Sequence, residues 1–449
     1  MGFLPRLSLK AKIGLGILVS YTSFELHMHY QTVALIKQRQ AQMQVHDDLD
    51  IAKYKSAMVL GMFVNPFQEY RPQTAFEFLT VRIAELFESF YANKIEIHDK
   101  YPTPEGDFAS VDHLLKTFRP NYELMRKNST LLAQCVAAND FSGLYKKLNF
   151  TSAVGNQMLF TWLGQSCSLV QISGINILTD PMFGDHLIDQ KFGPKRLVKS
   201  PMTLEEVRYA TGGKLDFVFV SHNHPDHLDL QAAKEIGNLA MWIVPLGLKL
   251  TLARKGIYNV VEMDWWEKLL LNPFIAEGNK NFPDNYEIVC VPAMHWSGRH
   301  IVDCNTSLWG SFILQKNGQS VLYHAGDTGY VKGLFEAIGK KYGPVTLSLL
   351  PIGQYCPSWH QKPRHISPEE SLQIAAATNS KYVFGVHFGT FKLSSEPILE
   401  PKNKLLDLAK AQGKLQFYKV PEFGLTYLYH LDDGLHHPHI HTAKKEDKV

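Results

Sequence analysis

The 449-residue sequence predicts an α/β protein, a sandwich of sheets with helices packed outside them and a helical N-terminal extension in front. Three observations carry that prediction. The run Leu215-Asp216-Phe217-Val218-Phe219-Val220 is apolar and β-branched or aromatic at nearly every position, as in a strand buried on both faces. It is followed by a histidine-rich loop, a helical pattern from Leu230 to Ile236 and the strand Trp242-Ile243-Val244, the order of a layered fold. Metal-ligand residue types then emerge just beyond a hydrophobic strand three more times. His295 follows Ile288 to Pro292, Asp327 follows Val321 to Gly326, and His387 follows Tyr382 to Val386.

The length exceeds what one core usually holds, so an appended region is expected. The first residues carry Arg6, Lys10 and Lys12 with no acid before Glu25, and Ile13 to Phe24 is apolar. A spanning helix needs about 20 apolar residues, so this run falls short unless it extends through Glu25, His27 and His29, and residues 1–40 are expected to be a targeting or membrane-anchor segment. Basic residues, hydroxyls and missing acids suit a mitochondrial presequence better than a secretory signal, which points to a mitochondrial, inner-membrane location or another intracellular membrane. Gln38 to Asp50 is polar and reads as a linker. Residues 41–155 read as a helical extension, the clearest helix running from Ala75 to Tyr91 with Phe76, Leu79, Ile83 and Phe87 on its apolar face. No dense cluster of ligand or acid-base residues falls there.

Residues 156–430 form the predicted catalytic domain. Leu159 to Leu163, Ser168 to Ile172 and Asn176 to Thr179 read as a meander. Asp180 follows it, placed either to orient a ligand histidine or simply to turn the chain before Pro181. Gly193-Pro194-Lys195-Arg196 is a basic turn, for a phosphate or for solvent. Leu415 to Val420 and Gly424 to Tyr429 are the last strands, and residues 431–449 a His-rich and charged, solvated tail. A net charge of +3 gives no ground for a nucleic-acid partner. Cys135, Cys167, Cys290, Cys304 and Cys356 are scattered, with no C-x-x-C pair, which argues against disulfides and a thiolate site.

The chemistry sits in Ser221-His222-Asn223-His224-Pro225-Asp226-His227. His222 and His224, two apart in extended chain, point the same way and can chelate one metal, whereas Asp226 and His227 follow at a turn and serve a second. With His295, Asp327 and His387, seven groups are available. Catalytic zinc takes three protein ligands and keeps a position for water, so seven suit two open sites. The expected division is His222, His224 and His295 on one ion, Asp226, His227 and His387 on the other, and Asp327 between them, its two oxygens and charge offsetting two dications. The cofactor expected is two zinc ions, with iron or manganese as alternatives. The nucleophile is then a hydroxide held by the metals, and no serine or cysteine is needed.

This H-x-H-x-D-H motif, with the downstream His295, Ala325-Gly326-Asp327-Thr328-Gly329 and His387, resembles the metallo-β-lactamase superfamily, an αβ/βα sandwich of binuclear hydrolases. Residues of about 160 to 400 resemble more narrowly the N-acylphosphatidylethanolamine-hydrolysing phospholipase D family. Thr161-Trp162-Leu163-Gly164, Ile177 to Pro181, Gly193 to Arg196, Val244 to Leu248, Asp264-Trp265-Trp266-Glu267, Leu308 to Ser311, Pro351-Ile352-Gly353 and His387 to Phe391 carry that closer match, as does His365 with Pro368-Glu369-Glu370. The resemblance implies hydrolysis of the distal phosphodiester of an N-acylated phosphatidylethanolamine, giving phosphatidic acid and an N-acylethanolamine. Its partners would be the phospholipid and a membrane surface, with a homodimer left open. Asp226 and His365 are the catalytic candidates. His365 matches a family histidine near the substrate, expected to bond the phosphate or deliver a proton to the leaving alkoxide; otherwise it merely precedes a helix.

Two positions depart from the family pattern. Pro225 stands where mammalian members have tyrosine, and Gln165 where histidine commonly follows Trp-Leu-Gly. Trp265, Trp266, Phe388 and Phe391 are candidates for a lipid cavity or for core. A lactonase, a nuclease or a membrane scaffold retaining the fold are the rival readings. Seven competent ligand residues argue against the scaffold, and the lack of a basic groove argues against the nuclease.

Overall fold

The computed structural model describes residues 8–43, 51–72, 74, 76–77, 79–81, 83–84, 87, 115–140, 157–188, 193–275, 282, 284–431 and 439–440. Two mixed sheets build the body. The first has the strand order His439–Ile440, Thr426–His430, Gln157–Gly164, Cys167–Ile172, Ile175–Thr179, Phe217–Phe219, Met241–Pro245, Val260–Met263, and the second Tyr418–Lys419, Tyr382–Val386, Val345–Pro351, Gln319–His324, Ser311–Lys316, Tyr286–Val291, Lys268–Leu270. In the first, β3 (Gln157–Gly164), β4 (Cys167–Ile172) and β5 (Ile175–Thr179) are the predicted antiparallel meander. β6 (Phe217–Phe219), β7 (Met241–Pro245) and β8 (Val260–Met263) then continue it in parallel. The second sheet mirrors that plan. β9 (Lys268–Leu270), β10 (Tyr286–Val291), β11 (Ser311–Lys316) and β12 (Gln319–His324) are antiparallel; β13 (Val345–Pro351), β14 (Tyr382–Val386) and β15 (Tyr418–Lys419) are parallel.

The sheets pack face to face, as the doubly apolar strands require. Along β6 and just beyond it, Phe217 and Phe219 enter the core between the sheets while Val218 and Val220 face the outer helices. Ring centroids of Phe219 and Phe312 lie 5.6 Å apart, and those of Phe160 and Phe384 4.9 Å, so residues from both sheets interdigitate. Outside β6, helices Leu204–Ala210 and Leu230–Ile236 contribute Val207, Ala210, Ala233 and Ile236 to the outer core. The first helix has a capping box of Thr203 and Glu206, and the second starts on the Asp229 carboxylate.

The N-terminal region differs from its sequence reading in two places. Helix α1 runs from Leu9 to Met43, so the first part of the expected 38–50 linker is helix; its Gln, Ala, Met and Arg residues are polar overall but good helix formers. Residues 44–50 lie outside the described ones. Among the described residues no helix is long and apolar enough to cross a membrane. Within the stretch expected to be helical, Tyr122–Ala138 is helix and the described positions of 76–87 are helical. Residues 51–72, by contrast, form a 3₁₀ turn at Ala52–Tyr54 and a short hairpin of β1 (Met58–Val59) and β2 (Met62–Phe63). That segment lies against the catalytic body, with Tyr54, Phe63 and Phe67 in the inner core. At the other end, His439–Ile440 pairs with β16 (Thr426–His430) as edge strand β17 and is not a free tail. The rest of 432–449 lies outside the described residues.

Candidate metal centre

Five strands deliver their polar residues to one rim of the sandwich. Asp180 follows β5, His222 to His227 follow β6, His295 follows β10, Asp327 follows β12 and His387 follows β14. Three donor groups result, each with ligand atoms within 4.8 Å of one another: His222, His224 and His295; Asp226, His227, Asp327 and His387; and His295, Asp327 and His365. All of these residues are buried. His222 Nε2 stands 2.7 Å from His224 Nδ1, which is 3.2 Å from His295 Nε2. In the other group His227 Nε2 and His387 Nε2 are 3.1 Å apart, and Asp226 Oδ2 is 3.3 Å from His387 Nε2. Asp327 lies between the groups. Its Oδ1 is 3.0 Å from His387 Nε2, and its Oδ2 is 3.1 Å from His227 Nε2 and 3.7 Å from His295 Nε2. The two groups coincide with the division expected from spacing.

The donor chemistry fits a pair of cations. Burial above all, then neighbouring rings, holds His222 and His224 well below the ordinary imidazole range, and burial pushes His295 down to about 4. These rings are therefore neutral at pH 7, with lone pairs available. Burial alone would raise Asp226 and Asp327, yet His227 foremost keeps both well below the usual carboxylate range. His387, which burial would depress, is pushed up to about 9, chiefly by Asp327. The acids thus favour positive charge at the ring nitrogens of His227 and His387, which is the field a dication needs. His224 turns its Nδ1 to His222 and His295, so that nitrogen, and not its buried and unpartnered Nε2, is the one placed to share an ion with them.

A second layer fixes these donors. Asp180, buried, accepts from the Ser221 backbone N–H at 2.7 Å and its hydroxyl at 2.8 Å, and lies 2.8 Å from His227 Nδ1 and 2.9 Å from His324 Nε2. Of its two sequence readings, the structure favours orientation of a histidine. Gly326 has φ +58°, and a Cβ there would come within 2.5 Å of Ser221 Cβ, so the Ala-Gly-Asp stretch needs glycine to let the two loops meet. Three non-glycine residues of the site also have left-handed backbones: Asp180 at φ 36°, Gln165 at 50° and His387 at 62°. Strain of roughly 1–3 kcal/mol each is concentrated where the donors converge.

Several contributors had no assigned role beforehand, although Gln165 was marked as a departure from the family pattern. Gln165 reaches the centre itself, its Nε2 2.9 Å from both Asp226 Oδ2 and His387 Nε2. Its carbonyl accepts from the Trp162 indole, which accounts for part of the Trp-Leu-Gly string. His324 had a signal, since it ends β12 three residues before Asp327. Arg299 had none; its Nε donates to Asn223 Oδ1 at 2.9 Å and steadies the histidine loop. Arg196 corrects the phosphate-or-solvent reading of its turn. Buried, it donates to the carbonyls of Val198, Met182 and Leu163, while Lys195 is exposed. Phe388 and Phe391 line a small cavity of about 30 Å³ beside Gln165 and His387, whereas Trp265 is core, stacked on Phe67.

His365 is placed beside both donor groups, its ring centroid 5.1 Å from that of His295 and 5.7 Å from that of His387. Its Nδ1 is buried without a hydrogen-bond partner, 3.7 Å from Asp327 Oδ2. It lines a cavity of about 310 Å³ with Tyr355, Ser358, Lys362, Ser367 and Glu370. It also precedes helix Pro368–Ala377 by two residues, so both of its readings have a structural counterpart.

Comparison with known proteins agrees with this architecture. Residues 175–388 match the family described as "Beta-lactamase superfamily domain". The mitochondrial N-acyl-phosphatidylethanolamine-hydrolyzing phospholipase D of Saccharomyces cerevisiae is 41% identical over 432 residues, 92% of this chain and 86% of that protein. The chain belongs to the N-acyl-phosphatidylethanolamine-hydrolyzing phospholipase D family. Another phospholipase D of that family, number 1 of Caenorhabditis elegans, is 35% identical over 303 residues, 64% of this chain and 77% of that protein. Among solved structures, Igni18, a metallo hydrolase of Ignicoccus hospitalis, matches at a TM-score of 0.46 with 25% identity, covering 61% of this chain and 98% of its own. Membership of the phospholipase D family extends the similarity well outside 175–388, into the N-terminal region.

Proposed function

We propose that the chain is a metal-dependent phospholipase D that hydrolyses N-acylphosphatidylethanolamine to phosphatidic acid and an N-acylethanolamine. The observation that carries this reading is the convergence of two His/Asp donor groups on Asp327 in a chain of this family. The ligands proposed are His222, His224 and His295 for one ion and Asp226, His227 and His387 for the other, with Asp327 shared. The imidazole-rich donor set suits zinc, with iron or manganese as alternatives that the same ligand types accept. Two such ions, when bound, neutralise phosphate oxygens and lower the pKa of water to about 7.

The protein's own groups supply the rest. His365 sits beside Asp327 on the 310 Å³ cavity, where its ring, held well below the ordinary imidazole range by burial, bonds the phosphate or, once protonated beside that anion, gives the proton to the departing ethanolamide oxygen. Lys362, on the same cavity wall, offers positive charge to a phosphate, and the cavity volume is that of a small-molecule site. Pro225, partly exposed beside the centre, offers no aromatic contact for lipid. Asp226 acts as ligand and as an ionised neighbour of His227 and His387.

Residues 1–40 are proposed as a mitochondrial targeting or anchoring segment that brings the catalytic domain to a membrane surface. Ile13, Leu15, Ile17, Leu18 and Val19 on α1 are all exposed. Fusing residues 1–40 to a fluorescent reporter is expected to give a mitochondrial signal; a diffuse cytosolic one removes this part. The catalytic part is tested with purified protein and N-palmitoyl-phosphatidylethanolamine. N-palmitoylethanolamine and phosphatidic acid are expected in equal amounts, lost with a chelator and restored by zinc. Release that survives chelation contradicts the reading.

A further inference from the structure

The segment of residues 51–77 lies outside the matched superfamily domain, yet it grips the catalytic half of the chain at many points. Arg39 at the end of α1 donates to the carbonyls of Lys55 and Ser56, and Ser56 Oγ to Asp264 at 2.9 Å. The Tyr54 carbonyl accepts from the Trp266 indole, the Phe63 N–H donates to the Asn305 carbonyl, and Phe67 stacks on Trp265 at 5.7 Å. These contacts anchor a strap. Two further ones reach the metal centre.

The first is Asn65, 4% exposed, whose Nδ2 donates to the main-chain carbonyl of His295 at 2.7 Å. His295 has a second hold, its Nδ1 standing 2.9 Å from the Arg364 carbonyl. A histidine donating its Nδ1–H to a carbonyl presents Nε2 for metal, and that is the nitrogen facing His224 and Asp327. The second contact is Glu77, buried, with Oε1 2.8 Å from His360 Nδ1. His360 in turn accepts at its carbonyl from the Arg364 guanidinium. Glu77 is fixed by both guanidinium nitrogens of Arg71, which also donates to the Trp359 carbonyl at 2.9 Å. The strap therefore fastens His295 through its backbone and, through Glu77, the 359–365 turn that carries both the Arg364 carbonyl and His365.

We propose that Asn65 and Glu77 are positioning residues of the metal centre, Asn65 setting His295 for the first ion and Glu77 setting the turn that presents His365. The strap is then a working part of the site, and the superfamily domain alone does not complete it. This rests on the reading of His222, His224 and His295 as ligands and of His365 as acting on substrate.

The test uses the full chain and two readouts. Asn65→Leu keeps the side-chain volume and removes the donor. Zinc affinity measured by chelator competition should fall for one ion by about 10–100-fold and stay unchanged for the other, as loss of an outer partner of a ligand typically does. Glu77→Ala should retain both ions and lower kcat on N-palmitoyl-phosphatidylethanolamine in detergent micelles with KM unchanged, and Glu77→Gln, which still accepts from His360, should recover most of it. Melting of the metal-free variants separates folding from positioning. Both affinities and kcat unchanged, or a lower melting temperature with neither moved, overturns the proposal. An unaltered chain that binds two zinc ions without hydrolysing the lipid would defeat the substrate reading and leave the Asn65 arm decisive.

Discussion

Asp327→Asn is expected to lower turnover at least about 1,000-fold and to reduce the bound metal from two ions per chain to one or fewer. Among the described residues the carboxylate is the only acid that faces both His227 and His387 while standing 3.7 Å from both His295 and His365. Asparagine preserves the shape but removes the negative charge, and its amide group turns N–H donors towards ring nitrogens that metal requires as acceptors. A metal supplies several kcal/mol of charge stabilisation in the transition state, and about 4 kcal/mol corresponds to about three powers of ten in rate. Metal analysis beside kcat measures both halves of the expectation. A variant holding two ions and working within tenfold of the parent contradicts the bridging role.

His365→Ala is expected to lower kcat by about 100- to 10,000-fold, the span of a lost general acid or base, while both ions stay bound. The metal readout matters because His295, Asp327 and His365 also bring donor atoms within 4.8 Å of one another. Loss of an ion on replacing His365 makes it a ligand and removes it from proton transfer. Retained metal with unchanged turnover rejects the role altogether. Retained metal with lost turnover is the expected outcome because His365, alone among these histidines, lines the larger cavity.

The sandwich was legible because strands buried on both faces leave an apolar signature, and the ligand types follow them at the sheet rim. The proximity of His222 and His224 was legible for a similar reason: two residues apart on an extended chain share a direction, and the two rings do come together. Asn65 and Arg299 were not readable, and of Gln165 only its departure from the family pattern was. Each acts through contacts closed by tertiary structure, with Asn65 reaching a carbonyl 230 positions away. Nothing in local periodicity records such a pairing. Arg196 was misread because charge suggests solvent or phosphate, whereas a guanidinium surrounded by orphan carbonyls is a structural clamp. The end of α1 was misread because polar composition was taken for a linker, although those residues favour helix.

The left-handed backbones of Asp180, Gln165 and His387 bear on function as well as stability. Each is clamped by neighbours. The His387 N–H donates to the Gln165 carbonyl, the Gln165 N–H to Thr390 Oγ1, and the Asp180 N–H to the Phe219 carbonyl. The fold thus fixes these three backbones through hydrogen bonds of its own.

Anomalous scattering from crystals of the zinc-loaded protein tests the arrangement most directly. Two peaks are expected roughly 3.5–4 Å apart, one within bonding distance of His222, His224 and His295, the other of Asp226, His227 and His387, with Asp327 touching both. A single peak, or zinc held elsewhere on the chain with these seven side chains unligated, contradicts the account.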